Sequence, residues 1–297
     1  MMKSISMGRR DFLKRSAAVT LAAGMVGSIS NAGAQEPAQT MKKAIQHGML
    51  PKSLSDAEKF KLAKACGYEG IETSPMADLD AAKKLGDTAK AAGVRIHSIC
   101  YGWWDKALCK GDAKAMDEGL KSMEAALRSA QAMGADAVLL VPGRVDSDVR
   151  YVEVYETSQK LIPKLIPLAQ EMKVIIAIEN VWNNFLLSPM EFARYVDEFN
   201  SPWVKAYFDT GNVVIIGWPQ DWIRTLGKRI VKVHLKDFKK GPRQFVNLRD
   251  GDVNWPEVRK AFEEVGYTGY LTPELDAGDE AYLRDLSGRV DQIIAGK

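Results

Sequence analysis

The sequence predicts an α/β chain folded as a single (β/α)8 TIM barrel, and three observations carry that expectation. Eight short apolar segments alternate with helical stretches through the chain beyond residue 34. The last four of these segments each end in a carboxylate or imidazole, at the strand ends that a parallel barrel gathers on one face. No glycine-rich phosphate turn follows the first segment, which argues against an open doubly wound sheet.

The elements follow in order. Residues 44–49 read as the first strand, and 55–65 as a helix capped by Ser55 and stopped at Gly67. A second strand spans 68–72, and a helix over about 79–92 stops at Gly93. Strand three covers 94–101, and an amphipathic helix over 112–133 ends at Gly134. Residues 137–141 form a short, wholly apolar strand of the kind buried on both faces. A helical region over 149–172 is interrupted by Pro163 and Pro167. Strands five to eight span 174–179, 204–209, 230–235 and 270–274, followed by helices at about 189–199, 220–226, 256–265 and 280–294.

The first 34 residues have a different job. Arg9-Arg10 leads through Asp11 to Phe12-Leu13-Lys14, then a short apolar, small-residue run, then Ala32-Gly33-Ala34. That order predicts a twin-arginine signal peptide, removed after residue 34, and hence a periplasmic protein of residues 35–297. The run is too short and too rich in Gly and Ser for a stable membrane anchor. The leader holds five of the basic residues against Asp11, so the chain's formal charge of +3 becomes about −1 without it. The basic pI therefore belongs to the leader and gives no support for nucleic-acid binding. Cys66, Cys100 and Cys109 are too few and too unevenly spaced for a disulfide framework; Cys66 reads as packing, and a Cys100–Cys109 pair stays open.

The chemistry concentrates in the late strands. Glu179, Asp209, His234 and Glu274 each close an apolar run. Alone, each has an ordinary reading: a solvated acid at a loop mouth, a turn cap, a core histidine, an acid after the irregular Thr272-Pro273. Together at successive strand ends they converge, and three crowded carboxylates repel unless a cation sits among them. A divalent metal resolves this most simply.

At this point a resemblance emerges. The series Ile178-Glu179-Asn180, Phe208-Asp209-Thr210-Gly211-Asn212, Val233-His234-Leu235-Lys236-Asp237, Gly251-Asp252-Val253-Asn254-Trp255 and Gly266-Tyr267 through Glu274 resembles the sugar phosphate isomerase/epimerase family with the xylose-isomerase-like barrel. The likeness spans essentially all of 35–297. It implies one divalent metal ion (manganese, magnesium, cobalt or zinc) held by Glu179, Asp209, His234 and Glu274, with the two glutamates as a catalytic acid/base pair. The related apurinic endonucleases use a histidine-rich three-zinc cluster, whereas this chain has only His47, His97 and His234. Asn212 stands where those enzymes and several ketose epimerases place a histidine, so the site is not a simple copy of theirs.

The expected function is a metal-dependent isomerase or epimerase of a sugar or keto-sugar. It would abstract a proton beside a carbonyl and pass through a metal-stabilised enediolate. A lyase or hydratase on a 3-keto-glycoside would begin with the same step. A carbohydrate-binding protein without catalysis is the reading from another class, and the intact ligand set counts against it. Export favours unphosphorylated sugars over sugar phosphates as substrates. Around the mouth, His97 reads either as a substrate contact or as a core histidine. Lys236 shares the face of His234 and either steadies an enolate oxygen or is solvated. Trp103, Trp104 and Trp182 offer aromatic faces to a sugar or simply pack loops. The run 239–243 reads as an exposed loop, with reception of an anionic substrate as its lesser alternative, and a homo-oligomer stays open.

Overall fold

The computed structural model describes residues 41–102, 108 and 113–297. Eight parallel strands run β1 (Lys42–Gln46), β2 (Gly70–Thr73), β3 (Arg95–Tyr101), β4 (Ala137–Leu140), β5 (Ile175–Glu179), β6 (Val204–Asp209), β7 (Ile230–Leu235) and, after a hairpin described below, β10 (Tyr270–Pro273). They close in the order β1-β10-β7-β6-β5-β4-β3-β2, and the seam is sealed by the pairing of Lys42 with Tyr270 and Lys43 with Leu271. Closure removes the sheet edges and aligns every strand's C-terminal end on one rim. The predicted (β/α)8 barrel is the observed one.

Local signals explain most boundaries. The Ser55 hydroxyl accepts from the Glu58 amide while the Glu58 carboxylate accepts from the Ser55 amide, a reciprocal cap on the helix Asp56–Ala65. Pro163 and Pro167 cannot donate backbone hydrogen bonds. The helical region after β4 accordingly divides into Tyr151–Leu161, a 3-10 turn at Ile162–Leu165 and Ile166–Met172. The first strand lies earlier than its hydrophobicity suggests, because pairing with β2 stops at Gln46 opposite Glu72 and His47–Met49 turns as a 3-10 helix. One element is new: Asp237–Lys239 (β8) and Gln244–Val246 (β9) pair antiparallel, so the 239–243 run is an exposed hairpin tip.

The strands have two distinct faces. Val138, Leu140, Ile176, Ile178, Phe208 and Val233 pack outward into the main core. The alternate positions Ala137, Leu139, Ala177 and Tyr207 form a separate cluster inside the barrel. Glu179 continues the row of Ala177, and Asp209 that of Tyr207, so period two delivers both carboxylates to the interior at its C-terminal rim. Among the described residues, no helix is long and apolar enough to cross a membrane.

Candidate metal centre

The four strand-end residues meet. Glu179, Asp209, His234 and Glu274 each place one ligand atom within 4.8 Å of the others'. Glu179, Asp209 and His234 are buried, and the half-buried Glu274 follows the last residue of β10, where its amide donates to the Leu235 carbonyl (3.1 Å). His234 Nδ1 stands 2.8 Å from Glu179 Oε1 and 2.9 Å from Glu274 Oε2. Lys236 Nζ lies 2.8 Å from Glu274 Oε2 and 3.3 Å from Asp209 Oδ2.

Asp209 is aimed by its neighbours. Its Oδ1 accepts from the Asn212 amide (2.8 Å), which leaves Oδ2 directed at the cluster. Asn180 grips the Asp209 main chain from both sides, its Oδ1 accepting the amide and its Nδ2 donating to the carbonyl (both 3.0 Å). Asn212 in turn donates from Nδ2 to the Asn180 carbonyl (3.0 Å). The two asparagines therefore form a buried brace behind the aspartate. Gly211 has a steric reason: a Cβ there would stand 2.5 Å from Lys236 Cβ. The Thr210 hydroxyl locks the same crossing, accepting from the Lys236 amide (3.1 Å) and donating to its carbonyl (2.9 Å).

The electrostatics follow from crowding. Burial lifts the Glu179 carboxyl to about 7, although the adjacent His234 pulls it down. Burial would also raise Glu274, but His234 and then Lys236 hold it well below the usual carboxylate range. Burial raises Asp209. Burial opposes charge on His234, yet Tyr207, Glu72, Glu274 and Glu179 around it push its pKa well up. Asp209 Oδ2 and Glu274 Oε2 are buried and receive no well-directed hydrogen bond. Two oxygen acceptors lacking directed donors, beside a third carboxylate and an imidazole, are a donor set that fits a hard or borderline divalent cation.

The remaining sequence candidates are placed as follows. Lys236 and Glu274 line a cavity of about 590 Å³ together with Gln46, Phe245, Asn247 and Asp276. Trp182 donates from Nε1 to the Asn212 carbonyl (2.9 Å), stays half exposed, and faces Phe245 at 5.0 Å. His97 also points into the barrel, but its ring stacks on Tyr270 (4.2 Å) and its Nε2 meets Thr272 Oγ1 (3.2 Å). Tyr270 and Thr272 precede Glu274 on β10, so His97 lies below the rim. Trp103, Trp104 and Cys109 lie outside the described residues. Sequence reasoning missed Glu72, a buried acid of β2 whose Oε1 stands 2.8 Å from His234 Nε2. It also missed Asp237, which organises the loop beyond the hairpin. The only advance sign of Asp237 was its place in the Val233–Asp237 motif.

Residues 60–289 match a family described as the xylose isomerase-like TIM barrel. The chain belongs to that family. Within it, the chain is 27% identical to an L-ribulose-5-phosphate 3-epimerase of Escherichia coli O1:K1, over 82% of this chain and 94% of that one. Among solved barrels of this type, a D-psicose 3-epimerase superposes with a TM-score of 0.72 at 17% identity, covering 86% of this chain and 100% of the other. A 3-keto-D-glucoside 4-epimerase from E. coli does so with a TM-score of 0.72 at 15% identity, covering 86% and 99%. At these identities the structural likeness speaks for the fold.

Proposed function

We propose that the protein is a divalent-metal-dependent isomerase or epimerase of a sugar or keto-sugar that acts by proton abstraction beside a carbonyl. The convergence of Glu179, Asp209, His234 and Glu274 at the barrel rim carries this reading. These four residues would hold a divalent cation, which would supply positive charge to the substrate oxygens as the proton is removed. Manganese, magnesium, cobalt and zinc all suit the donor set.

The chain's own residues supply the proton transfers. Glu179 and Glu274 come from β5 and from the end of β10, with β6 and β7 between them around the rim. They therefore approach a bound sugar from different sides, one taking the α-proton and the other returning one. Lys236 Nζ, beside Glu274, offers an N–H to a substrate oxygen, and Trp182 and Phe245 offer aromatic faces to its C–H surface. The relative named as an L-ribulose-5-phosphate 3-epimerase supports this chemistry, because C3 of a ketose adjoins its carbonyl.

The substrate we infer is unphosphorylated. Among the described residues lining the 590 Å³ cavity only Lys236 is cationic, and Asp209 and Glu274 already engage it, while Glu274 and Asp276 add negative charge. The twin-arginine leader expected from residues 1–34, which lie outside the described residues, supports the same reading, because an exported enzyme would meet free sugars rather than sugar phosphates. Incubating the manganese-loaded protein with a panel of free ketoses, keto-glycosides and ketose phosphates, followed by NMR, tests it. Epimerised or isomerised free sugars are expected, and turnover confined to phosphates would overturn the substrate reading.

A further inference from the structure

Glu72 is a carboxylate sealed inside the barrel, and neither the proton transfers nor the four-residue cluster gives it a role. Its side chain is 1% exposed, so whatever holds it charged must come from the protein. Three donors do so. Gln46 Nε2 donates to Oε1 at 3.0 Å, Tyr207 Oη donates to Oε2, and His234 Nε2 stands 2.8 Å from Oε1. These donors come from β1, β6 and β7, so the closed barrel, not a local motif, assembles the cluster.

We propose that Glu72 is a positioning residue for the metal centre: it fixes the His234 ring so that Nδ1 is the nitrogen presented to the cation. The inference rests on the metal reading above and deepens it. The two nitrogens of His234 face opposite ways, Nδ1 toward Glu179 and Glu274, and Nε2 toward Glu72. A ligand imidazole gives a lone pair from one nitrogen and carries hydrogen on the other. An ionised carboxylate can only accept, so at Nε2 it selects the form with hydrogen there and the lone pair on Nδ1. Tyr207 adds a second constraint. Its hydroxyl anchors Glu72 while its ring lies 4.4 Å from the His234 ring at 47°. One tyrosine thus holds both the acceptor and the plane of the imidazole. A purely packing role would not need a carboxylate, because an apolar side chain at this buried position would avoid its desolvation cost.

The test is manganese affinity by calorimetry on the full-length mature protein, with Glu72→Gln and Tyr207→Phe beside the wild type. Glu72→Gln keeps the size but brings an amide that can donate to Nε2 and favour the wrong form. It should weaken Mn²⁺ binding by about 10–100-fold, and Tyr207→Phe should weaken it less. Unaltered circular dichroism would show the fold intact. Independently of whether Glu72→Gln folds, ¹⁵N NMR of the zinc-loaded wild type gives a second reading. His234 is one of three histidines, and it should show hydrogen on Nε2 and zinc on Nδ1. Zinc on Nε2, or a folded Glu72→Gln with wild-type manganese affinity, overturns the proposal alone. A wild type that binds no divalent cation overturns it together with the metal reading.

Discussion

At the scale of single residues, the proposed mechanism separates groups that only bind the metal from groups that also react. His234→Ala and Asp209→Ala each remove a donor while the remaining carboxylates still repel one another. Both should abolish stoichiometric manganese binding, measured by metal analysis after gel filtration. Glu179→Gln and Glu274→Gln keep an oxygen donor but lose the base. They should retain part of the metal while turnover falls roughly 10²-fold or more, the scale of a lost general base. Loss of metal without a matching loss of rate would reverse these roles. The four cluster residues were legible in the sequence because each ends an apolar run, where a polar group has few explanations. Glu72 was not, although it also ends such a run: one acid in a short early strand carries no motif. Only closure of the barrel brings β2 opposite the imidazole of β7. Asn212 was legible as a site residue, but its position behind Asp209 depends on a hydrogen bond between neighbouring loops.

At the scale of elements, two acids, one buried and one partly exposed, hold the framework on which the site sits. Asp237 accepts from the amides of Phe238, Arg249, Gly251 and Val253 and from Trp255 Nε1, at 2.9 to 3.2 Å. A Cβ on Gly251 would stand 2.7 Å from the Phe238 nitrogen, which explains glycine in the Gly251–Trp255 motif. Asp237→Ala strands those donors and should cost about 3 kcal/mol in urea unfolding, since one buried unmade hydrogen bond costs about 1–3 kcal/mol. The sequence displayed both halves of this arrangement without showing that one carboxylate joins them, because the pairing spans an unforeseen hairpin. At the opposite end of the strands, the buried Lys232 pairs with Asp136 at 2.5 Å. Asp136→Ala should destabilise by about 2 kcal/mol, reduced from the fully buried case because Asp136 is partly solvated. Burial opposes ionisation of Asp136, but Lys232 and Arg95 hold its pKa below 3.8. Its contribution is therefore present above pH 3.8 and lost as pH falls through the lower folded value, so the penalty should shrink in acid. A penalty that grows below pH 3.8 would contradict the pairing.

At the scale of the whole molecule, the strand–helix alternation made the barrel legible, whereas element ends were set by pairing registers that no single segment contains. The proposed export is tested on the full chain: replacing Arg9 and Arg10 by lysine should hold the protein in the cytoplasm by fractionation, and unchanged export would remove the twin-arginine assignment. The complete holoprotein also allows the most direct test of the central claim, that a metal-loaded glutamate pair moves a proton beside a carbonyl. That measurement is exchange of a ketose α-proton with deuterated water, followed by NMR with manganese present and after its chelation. The account predicts exchange in the wild type, its loss on chelation and recovery on adding manganese back, and a drop of roughly 10²-fold or more in Glu179→Gln and Glu274→Gln. Exchange that persists after chelation, or at the wild-type rate in metal-retaining variants of both glutamates, would contradict it.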